Sequence, residues 1–338
     1  MNIADSYGQE TALVTGGTGF VGRWLVETLK KRGSQVTVLA RESGIRSESL
    51  PDGGEVARGS LQDFRFLSRL FSTQRIDTVF HLAAQPLIAV SRKLPRETLE
   101  ANVAGTWNLL EAMRLSGVGQ MVVASSDKAY AQSLNLASGR TMGLQIDPYS
   151  ASKICAEMVA RTYASTFGLR VAIARFSNIY GGGDLNFSRL VPDLVRSTLN
   201  GERLVIRSDG KSRVNLLYVK DAVKAFLLLA SRLKADPSLS GRAFNFAMAS
   251  EISVLGIVDR VLDLVGRQDL KPIVAGAELK ESNKRNFESA EACEILGWRP
   301  DYSLDAGLKE TIAWYRSHLQ ELPRAPVVEQ AMAGQGIA

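Results

Sequence analysis

Two pairs of polar side chains have the types and the spacing that acid–base chemistry requires. Tyr149 and Lys153 lie four residues apart in the stretch YSASK, and residues i and i+4 of a helix share one face. A lysine ammonium beside a phenol lowers the phenol's pKa from its usual value of about 10, so Tyr149 becomes a base that can take a proton from a substrate hydroxyl. Of the eight tyrosines, only Tyr149 has a lysine four positions later.

The second pair, Asp127 and Lys128, lies in the stretch SSDKAY, directly after the apolar run QMVVA. This run predicts a strand, so an acid and a base stand side by side where the strand ends. They form either an ion-paired surface turn or a proton donor and acceptor. In the second case Lys128 must be neutral and Asp127 protonated, and a direct contact between them would oppose both states. We therefore predict that the two side chains point at different substrate atoms and are not salt-bridged to each other.

The elements that position these residues begin with a glycine-rich turn, VTGGTGFVG. Gly16, Gly19 and Gly22 give the spacing G-x-x-G-x-x-G between a strand, TALVT, and a helix that starts near Phe20 and Val21. A tight turn and the close approach of a pyrophosphate both require glycine, and the helix N-terminus supplies N–H groups and a partial positive charge. A purely structural turn is the alternative, but the place between a strand and a helix favours a dinucleotide-binding site.

The end of the second predicted strand, VLARES, bears on which dinucleotide is bound. Dinucleotide-binding folds commonly have an acidic residue there, which binds the adenosine ribose. Here Ala40 occupies that place and is followed by Arg41 and Ser43. A missing carboxylate and a nearby arginine suit a 2′-phosphate, so we expect NAD(P), with NADP favoured over NAD. The alternative is that Arg41 stacks on adenine or faces solvent.

Two further segments are expected along the cofactor. Asp63, in GSLQD, is a candidate for holding the adenine amine. The segment HLAAQ ends another predicted strand, and its Leu82, Ala83 and Ala84 are expected to pass beneath the cofactor. These residues and the glycine turn make up the predicted cofactor site.

Strand and helix signals alternate along the first half of the chain, which predicts an α/β fold. Short apolar strands between helices indicate a parallel sheet that is covered on both faces, and hence a Rossmann-type doubly wound sheet. After Ser177 a Gly-rich loop and short strands and helices predict a smaller mixed α/β C-terminal substrate region. We place an NAD(P)-binding domain at 1–178, a substrate-binding region at 179–323 and a disordered tail at 324–338.

Composition and charge argue against several classes of protein. The 338 residues are 45% hydrophobic and 22% charged, as in a globular protein with a sizeable core. The net charge of +6 comes from scattered basic residues, so no nucleic-acid partner is expected. Cys155 and Cys293 match no metal or redox spacing, and two histidines are too few for a His-rich metal site. The chain shows neither a signal peptide nor a membrane-spanning run, so a cytoplasmic location is expected.

Taken together, these stretches resemble the extended short-chain dehydrogenase/reductases, in the group of nucleotide-sugar epimerases and dehydratases. The matching stretches run from residue 11 to about 318 and include TGGTGFVG, HLAAQ, NVAGTWNLLEAMR, YSASKICAE, RFSNIYGGGD and LLYVKDAVKAFL. Within the group, HLAAQPL, SSDK, DPYSASK and IYGGGD are most like CDP-glucose 4,6-dehydratases. The resemblance implies a nucleotide-sugar substrate and a homodimer, with a four-helix interface built from the helices near 96–116 and 149–167.

The resemblance also implies roles for five residues. Ser126, Tyr149 and Lys153 form the group that oxidises C4 of the sugar, and Asp127 and Lys128 carry out the loss of water. Many sugar dehydratases of the group have Asp followed by Glu at this place, whereas this chain has Asp followed by Lys, as CDP-glucose dehydratases do. Lys128 is expected to remove the C5 proton and Asp127 to protonate the departing C6 hydroxyl, which gives a 4-keto-6-deoxy sugar nucleotide.

Two other functions stay open at this point. A sugar 4-epimerase or 4-ketoreductase needs only the Ser, Tyr and Lys group, and the residues that follow Ser126 can then vary. A non-catalytic NAD(P)-sensing regulator on the same fold would typically lack the pair Tyr149 and Lys153.

On the substrate side, the resemblance assigns Gln85 to the substrate and places Asn178 and Arg189 where the family holds the sugar diphosphate. A positive side chain near a pyrophosphate is physically sensible. The family usually has an arginine, an acidic or small residue and an aromatic before YV. Here Arg213 comes one position early and no aromatic follows it, so the nucleotide site is expected to differ. The polar loop 131–147, between the two catalytic stretches, is expected to act as a lid.

Overall fold

The computed structural model describes residues 10–41, 55–129, 146–276 and 287–322. The chain forms two compact units, which are described separately. The first contains the chain up to Phe176 with Ala222–Phe246 and Ser289–Arg299, and the second contains Ser177–Asp221, Ala247–Glu288 and the chain from Pro300 onward. Two later stretches of the sequence therefore return to the first unit.

A seven-stranded sheet forms the centre of the first unit. Its strands, numbered in chain order, are β1 Thr11–Thr15, β2 Gln35–Ala40, β3 Glu55–Arg58, β4 Thr78–His81, β5 Gln120–Ser126, β6 Arg170–Phe176 and β11 Ala243–Phe246. The spatial order is β11-β6-β5-β4-β1-β2-β3, and every pairing is parallel. The order runs outward in both directions from β1 and β4, so the sheet is doubly wound and the predicted Rossmann-type α/β fold is confirmed.

Helices connect the other successive parallel strands of the first unit, whereas most of the connection between β2 and β3 lies outside the described residues. A π-helical turn, Glu100–Ala104, joins two of these helices without a break, so helical backbone runs from Pro95 to Ser116 and the long helix predicted from about residue 96 to 115 is present, with one π-helical turn inside it. The helices are α1 Phe20–Lys31, α2 Phe64–Thr73, α3 Ile88–Lys93, α4 Pro95–Leu99, α5 Gly105–Ser116, α6 Pro148–Phe167, α8 Val219–Ala235, which begins in the second unit, and α10 Ala290–Leu296, with a 3-10 turn at Pro237–Leu239.

Local sequence explains where two helices near the predicted site begin and end. Asp63 caps α2 and Asp147 caps α6, each by accepting a hydrogen bond at 3.0 Å from the backbone N–H three residues later. Pro148 occupies the first position of α6, where its missing N–H costs nothing. The helix ends at Gly168, whose φ of +68° is the left-handed conformation that glycine adopts readily.

Aromatic side chains explain why two later stretches belong to the first unit. Phe176 of β6 stacks on Phe246 of β11 with ring centroids 5.4 Å apart. Phe226 of α8 lies 4.9 Å from the Phe176 ring, and Trp298 lies 5.1 Å from the Phe246 ring. Trp298 is fully buried and Phe226 is 1% exposed. Burial of these large apolar surfaces stabilises the return of both stretches to the sheet.

The second unit is a smaller mixed α/β assembly, as the sequence predicted, and its described residues form three two-stranded ladders and three helices. Two ladders are parallel and one is antiparallel. The ladders are β7 Asn178–Tyr180 with β10 Leu216–Tyr218, β9 Arg213–Val214 with β12 Ile252–Ser253, and β8 Val205–Ile206 with β13 Ile273–Val274; the helices are α7 Leu190–Leu199, α9 Val254–Val265 and α11 Leu304–His318, followed by a 3-10 turn at Leu319–Glu321.

Hydrogen bonds fasten α11 to the short ladder β7–β10. The Tyr218 hydroxyl donates to Glu310 at 2.7 Å, and the Tyr180 hydroxyl donates to the Leu304 carbonyl at 3.2 Å. The predicted tail, 324–338, lies outside the described residues. Within the described ranges, none of the helices combines the length and the apolarity that crossing a membrane requires.

Candidate active site

The glycine turn between β1 and α1 has a backbone that only glycine accommodates at two positions. Gly16 has φ of +74°, and a Cβ there would lie 2.7 Å from the backbone nitrogen of Ala83. A Cβ on Gly22 would lie 2.1 Å from the Gly16 carbonyl oxygen. The turn therefore packs directly against the segment after β4, and α1 packs directly on the turn. This close packing is the arrangement that dinucleotide-binding glycines provide.

The N-terminus of α1 fits an anionic group. Gly19 is its N-cap, no side chain caps the helix, and its first turn contains no acidic residue. Arg23 lies at the same end, and burial lowers the pKa of its guanidinium. The positive end of a helix dipole favours the binding of an anion. The turn, the uncapped N–H groups and Arg23 thus suit a pyrophosphate, and Arg23, which directly follows the last glycine, was missed by sequence reasoning.

At the predicted adenosine end, Arg41 is exposed after β2. The strand register pairs Ala40 with Arg58 of β3, so two arginines stand at the carboxyl ends of neighbouring strands. Ser43 lies outside the described residues. Asp63 uses its carboxylate to cap α2, as described above, and a role toward adenine stays a prediction.

His81, the last residue of β4, lies in a chain of neutral hydrogen bonds. Ala83 N donates to Thr15 Oγ1 at 3.2 Å, and Thr15 Oγ1 lies 2.8 Å from His81 Nδ1. His81 Nε2 lies 3.0 Å from Thr106 Oγ1, which donates to the Asn102 carbonyl at 2.6 Å. Burial, and secondly the charge of Lys153, lower the pKa of His81 to about 3. The imidazole is therefore neutral, and the network assigns its proton to Nε2.

Asn102, in the π-helical turn, connects this chain to the segment after β4 and to α6. Its Oδ1 accepts from Gln85 N at 2.7 Å, and its Nδ2 donates to Ser152 Oγ at 2.8 Å. The Ser152 hydroxyl donates to the Tyr149 carbonyl at 2.7 Å. The side-chain amide of Gln85 contacts its own segment, since its Nε2 donates to the Leu87 carbonyl at 3.1 Å. The segment that holds the predicted residues Leu82, Ala83 and Ala84 is thus fixed at both ends.

The end of β5 brings Ser126, Asp127 and Lys128 into direct contact. Ser126 Oγ donates to Asp127 Oδ1 at 2.8 Å, and Lys128 Nζ lies 3.0 Å from the same oxygen. The Lys128 side chain is 28% exposed and the Asp127 side chain is 21% exposed. The prediction that Asp127 and Lys128 are not salt-bridged is therefore wrong.

The local backbone explains this contact. Residues 127–129 form helical backbone immediately after the strand. Both side chains are only partly exposed, so each would lose solvation without a partner of opposite charge. Asp127 and Lys128 are each other's partner. The sequence alone does not give the side-chain conformations that bring the two groups together.

Tyr149 and Lys153 lie in the first turns of α6, and both are 8% exposed. Lys153 Nζ donates to the Ala124 carbonyl of β5 at 3.0 Å, which holds the start of α6 beside the end of that strand. Burial lowers the pKa of Lys153 to about 8, and the charge of Glu157 acts in the opposite direction. Lys153 is thus predominantly charged at neutral pH, as a group that lowers the pKa of a phenol must be.

A buried ion pair lies behind these residues, and sequence reasoning missed it. The Glu157 carboxylate accepts from Arg175 Nε at 2.9 Å and from Arg175 Nη2 at 2.5 Å. Ser125 Oγ donates to the same carboxylate at 2.5 Å. The signal in the sequence was the spacing, because Glu157 follows Lys153 by four residues and so extends the face that Tyr149 and Lys153 share.

The remaining predicted substrate residues lie in the second unit. Asn178 Nδ2 donates to the Asn215 carbonyl at 3.4 Å. Arg189 Nη1 donates to the buried carboxylate of Asp184 at 3.0 Å. Arg213 donates through Nη2 to the Glu251 carbonyl. Each polar side chain is thus held by its own unit, and its role toward a substrate stays a prediction.

The predicted lid, 131–147, lies outside the described residues except for its last two positions. Of these, Asp147 is the cap of α6. The structure therefore describes the two stretches predicted to be catalytic and, apart from those two positions, not the loop between them.

Similarity to known proteins agrees with this geometry. Residues 12–247 match the model of the NAD dependent epimerase/dehydratase family. The chain belongs to this family. The matched region includes the glycine turn, the end of β5, and Tyr149 and Lys153, so the recognised family and the assembled site coincide.

Relatives within the NAD dependent epimerase/dehydratase family differ in reaction. The chain is 30% identical over 332 residues to a CDP-glucose 4,6-dehydratase of Salmonella typhimurium, covering 91% of this chain and 90% of that protein. It is 32% identical over 337 residues to a dTDP-4-dehydro-6-deoxy-D-allose reductase of Streptomyces sp., covering 93% and 99%. The structure of a UDP-glucose 4-epimerase with UDP-glucose from Thermotoga maritima matches with a TM-score of 0.80 and 28% identity, covering 91% and 99%.

Proposed function

We propose that this chain is an NAD(P)-dependent nucleotide-sugar 4,6-dehydratase, with CDP-glucose as the first substrate to test. The reaction is an internal redox dehydration, in which a nucleotide hexose loses water and becomes its 4-keto-6-deoxy form. The similarity to a CDP-glucose 4,6-dehydratase over nine-tenths of both chains supports the proposal. The residues at the end of β5 support it independently.

The observation that carries the proposal is the contact of Ser126, Asp127 and Lys128 beside the helix of Tyr149 and Lys153. A 4-epimerase or a 4-ketoreductase moves a proton and a hydride only at C4. A dehydratase must also take a proton from C5 and give one to the C6 hydroxyl. Asp127 and Lys128 provide a second acid and base, and their atoms are 3.0 Å apart.

In this reaction Tyr149 removes the proton of the C4 hydroxyl. Lys153, charged near neutral pH, stabilises the phenolate form, and Ser126 orients the hydroxyl of the sugar. Lys128 then takes the C5 proton, which the adjacent ketone has made acidic, and Asp127 protonates the leaving C6 hydroxyl, so that water departs. Lys128 returns its proton to C5, and one proton has to pass from Tyr149 to Asp127 before the next turnover.

The ion pair at the end of β5 is compatible with these roles. The mechanism needs a neutral amine on Lys128 and a protonated carboxyl on Asp127. These two species arise from the ion pair when one proton crosses the 3.0 Å contact, without exchange with solvent. A substrate that displaces water from the two groups favours this neutral form, because desolvation disfavours both charges.

The residues of the first unit fit the cofactor. Gly16, Gly19 and Gly22, with Phe20 and Val21 at the start of α1, would hold its pyrophosphate. The segment with Leu82, Ala83 and Ala84 would pass beneath it, and Asp63 would lie near the adenine. When bound, the cofactor would supply the hydride acceptor that oxidation at C4 of the sugar needs and the hydride donor that reduction at C6 needs.

For the cofactor we propose NADP over NAD. Arg41 is exposed after β2, and Arg58 is paired in register with Ala40. Replacement R41A should weaken the binding of NADPH, measured by fluorescence titration, by tenfold or more, since a hydrogen bond between charged groups contributes about 1.5–3 kcal/mol. NADH binding should change little. Replacement R75A, at an arginine paired with Asp77, is the control. An equal loss for both nucleotides would assign Arg41 to the adenine instead.

The decisive experiment uses CDP-, dTDP-, UDP- and GDP-glucose carrying deuterium at C4, with products read by mass spectrometry. Loss of water with the label at C6 is the expected result. A product of unchanged mass and inverted C4 configuration would replace the dehydratase by a 4-epimerase. A label transferred to a freely exchanging cofactor pool would indicate a 4-ketoreductase.

The variant K128M separates the two halves of the reaction. Oxidation at C4 should continue, so the absorbance of reduced cofactor should rise in a single turnover, while water loss should fall at least about a hundredfold, the lower bound of what a positioned base contributes. Replacement K31M, at an exposed lysine paired with Glu27, is the matched control. Full dehydration by K128M would remove Lys128 from the mechanism.

On the substrate side we propose that Gln85, Asn178, Arg189 and Arg213 bind the nucleotide sugar. Arg189 supports this best, since its side chain is 40% exposed while Asp184 holds one of its nitrogens. Replacement R189M should raise KM for the nucleotide sugar more than it lowers kcat. An unchanged KM would leave Arg189 as a structural partner of Asp184.

We also propose a homodimer, and a cytoplasmic location stays a prediction. Large apolar side chains on α4, α5 and α6 are exposed, and a dimer interface built from these helices would cover them. Replacement W107E should convert a dimer into a monomer in light scattering. These side chains are Leu99, Trp107, Leu115, Met158 and Phe167, between 40% and 59% exposed.

A further inference from the structure

The buried ion pair behind the end of β5 is part of no step in the proposed reaction. Glu157 is 3% exposed and Arg175 is 9% exposed. Taking two charges out of water is costly, and a buried ion pair is weak evidence for a gain in stability. Its place one helical turn after Lys153 suggests a different purpose.

We propose that Glu157, held by Arg175 and Ser125, is a positioning residue that keeps Lys153 charged and directed at the end of β5. The inference rests on the proposed function only through the role of Lys153 beside Tyr149. It assigns to the ion pair an electrostatic effect on the catalytic helix, in addition to packing.

Geometry supports the holding role. Ser125 of β5 and Arg175 of β6 are direct partners in the register of the sheet. Both donate to the carboxylate of Glu157, at 2.5 Å for Ser125 and at 2.9 and 2.5 Å for the two Arg175 nitrogens. Three hydrogen bonds from two strands thus fix the position of α6 along the sheet. Lys153, on the same helix, then reaches the Ala124 carbonyl.

Charge supports the electrostatic role. Burial lowers the pKa of Lys153 to about 8, and Glu157 is the neighbour whose charge opposes this. From β4, His81 is neutral, because burial lowers its pKa to about 3. After β5, Asp127 and Lys128 neutralise each other at 3.0 Å.

The other titratable groups of the packed elements add little. Tyr149 is on the same helix, and the guanidinium of Arg175 of β6 is held against the Glu157 carboxylate at 2.5 Å. Of this pair, Glu157 is the member whose charge acts on the pKa of Lys153. On α3 and α4, the charged side chains are exposed, and Arg96 pairs with Glu100 at 2.8 Å. The exposed ones are Arg92, Lys93, Arg96 and Glu97.

The sign of the expected effect follows from this arrangement. Lys153 is charged below its pKa and loses its charge as the pH rises through about 8. A phenolate on Tyr149 loses its stabilising neighbour over the same range. Removal of the Glu157 charge lowers the pKa of Lys153 further, so the alkaline limit of C4 oxidation moves toward neutral pH.

The test is E157Q, which keeps the size of the side chain and removes its charge. Single-turnover reduction of bound cofactor, followed from pH 6 to 10 in the holoenzyme, should show its alkaline limb about one pH unit lower, the smaller end of what a nearby opposite charge contributes. E157D keeps the negative charge, so its alkaline limb should lie at the same pH as in the parent protein. D269N, which removes the charge from an exposed bidentate pair with Arg267, should leave it in place.

A second measurement makes the outcome independent of the proposed reaction. The Lys153 side chain, labelled with ¹³C at Cε and assigned with K153M, should titrate at lower pH in E157Q than in the parent protein. An unchanged titration, with rates lowered equally at every pH, would overturn the proposal and leave a purely structural pair. If E157Q does not fold, the double variant E157Q/R175M leaves no unpaired charge. It should shift the Lys153 titration in the same direction but by less, because the repulsion between Arg175 and Lys153 is removed as well, and an unchanged titration would again overturn the proposal.

Discussion

Two buried polar networks flank the carboxyl end of the sheet in the first unit, and they differ in charge. The first joins Thr15, His81 and Thr106 by neutral hydrogen bonds of 2.8 and 3.0 Å. The second joins Glu157 and Arg175 by charge-assisted bonds of 2.9 and 2.5 Å. We name them the neutral network and the charged network.

The difference corresponds to what each network must do. The neutral network fixes the segment that follows β4, where a stable position is needed and no proton has to move. The charged network includes Glu157, one helical turn after Lys153, where the proposed reaction requires a positive charge in spite of burial. Buried charge is costly, so it is placed where an electrostatic effect is required and avoided where hydrogen bonds suffice.

The largest effect should come from Y149F, which leaves both networks intact. C4 oxidation should fall about 10³-fold, within the range for loss of a positioned base, while the melting temperature stays close to that of the parent protein. Stopped-flow absorbance of reduced cofactor measures the rate. Replacement Y163F, on the same helix and bonded to Glu111 at 3.1 Å, is the control. A loss below tenfold would assign the base elsewhere.

The charged network should be the more sensitive to loss of one partner. R175M leaves the Glu157 carboxylate buried without its guanidinium, which typically costs about 3–5 kcal/mol of unfolding free energy. The double variant E157Q/R175M should recover most of this loss, because neither charge remains. Urea unfolding measures both. If R175M and E157Q/R175M were equally destabilised, Arg175 would contribute through packing. The difference in charge between the two networks would then not explain the greater sensitivity of the charged network.

Loss of one partner in the neutral network should cost less. T106V removes the acceptor of His81 Nε2 with almost no change of shape, and an unsatisfied buried donor costs about 1–3 kcal/mol. T106S keeps the hydroxyl and should lie closer to the parent protein. The ¹⁵N shifts of His81 should show that T106V weakens the preference for the Nε2 proton. Unaltered shifts would contradict the assigned direction of the hydrogen bonds through His81, in which Nε2 donates to Thr106.

Near neutral pH the smallest effect should be that of His81, because its contribution to stability changes only as the pH falls below about 6. Its pKa is about 3 in the folded state and about 6.5 when unfolded, so between these values the unfolded state binds one more proton. Stability then rises with pH, and each unit of acidification below about pH 6 costs up to about 1.4 kcal/mol. H81Q should remove this part of the slope between pH 6 and 4.5, in urea titrations. An identical slope would mean that carboxylates account for all of it.

Much of the fold was predictable because its signals are local. The glycine turn, the apolar strands and the helical spacings predicted a doubly wound sheet, and the structure confirms it. The same reasoning did not foresee that the stretches containing Phe226 and Trp298 return to the first unit. Their return depends on aromatic contacts with Phe176 and Phe246, which are distant in sequence.

The site was predictable to a similar degree. Sequence spacing placed Tyr149 and Lys153 on one helix face and Asp127 and Lys128 at a strand end, and the structure shows these positions. The predicted separation of Asp127 from Lys128 was wrong, because the reasoning weighed the charge states of the reaction and not the loss of solvation at the end of β5. The roles of these residues stay predictions.

The sequence by itself determined the parts that depend on neighbours along the chain. Glycine spacing set the turn between β1 and α1, and periodicity set the alternation of strands and helices. Only the tertiary structure decided that Glu157 meets Arg175 and Ser125, because this contact needs β6 beside β5 in one register and α6 at one rotation. The same holds for the chain from Thr15 through His81 to Thr106, whose members come from three elements. Contacts between distant elements depend on register and packing, which no local pattern encodes.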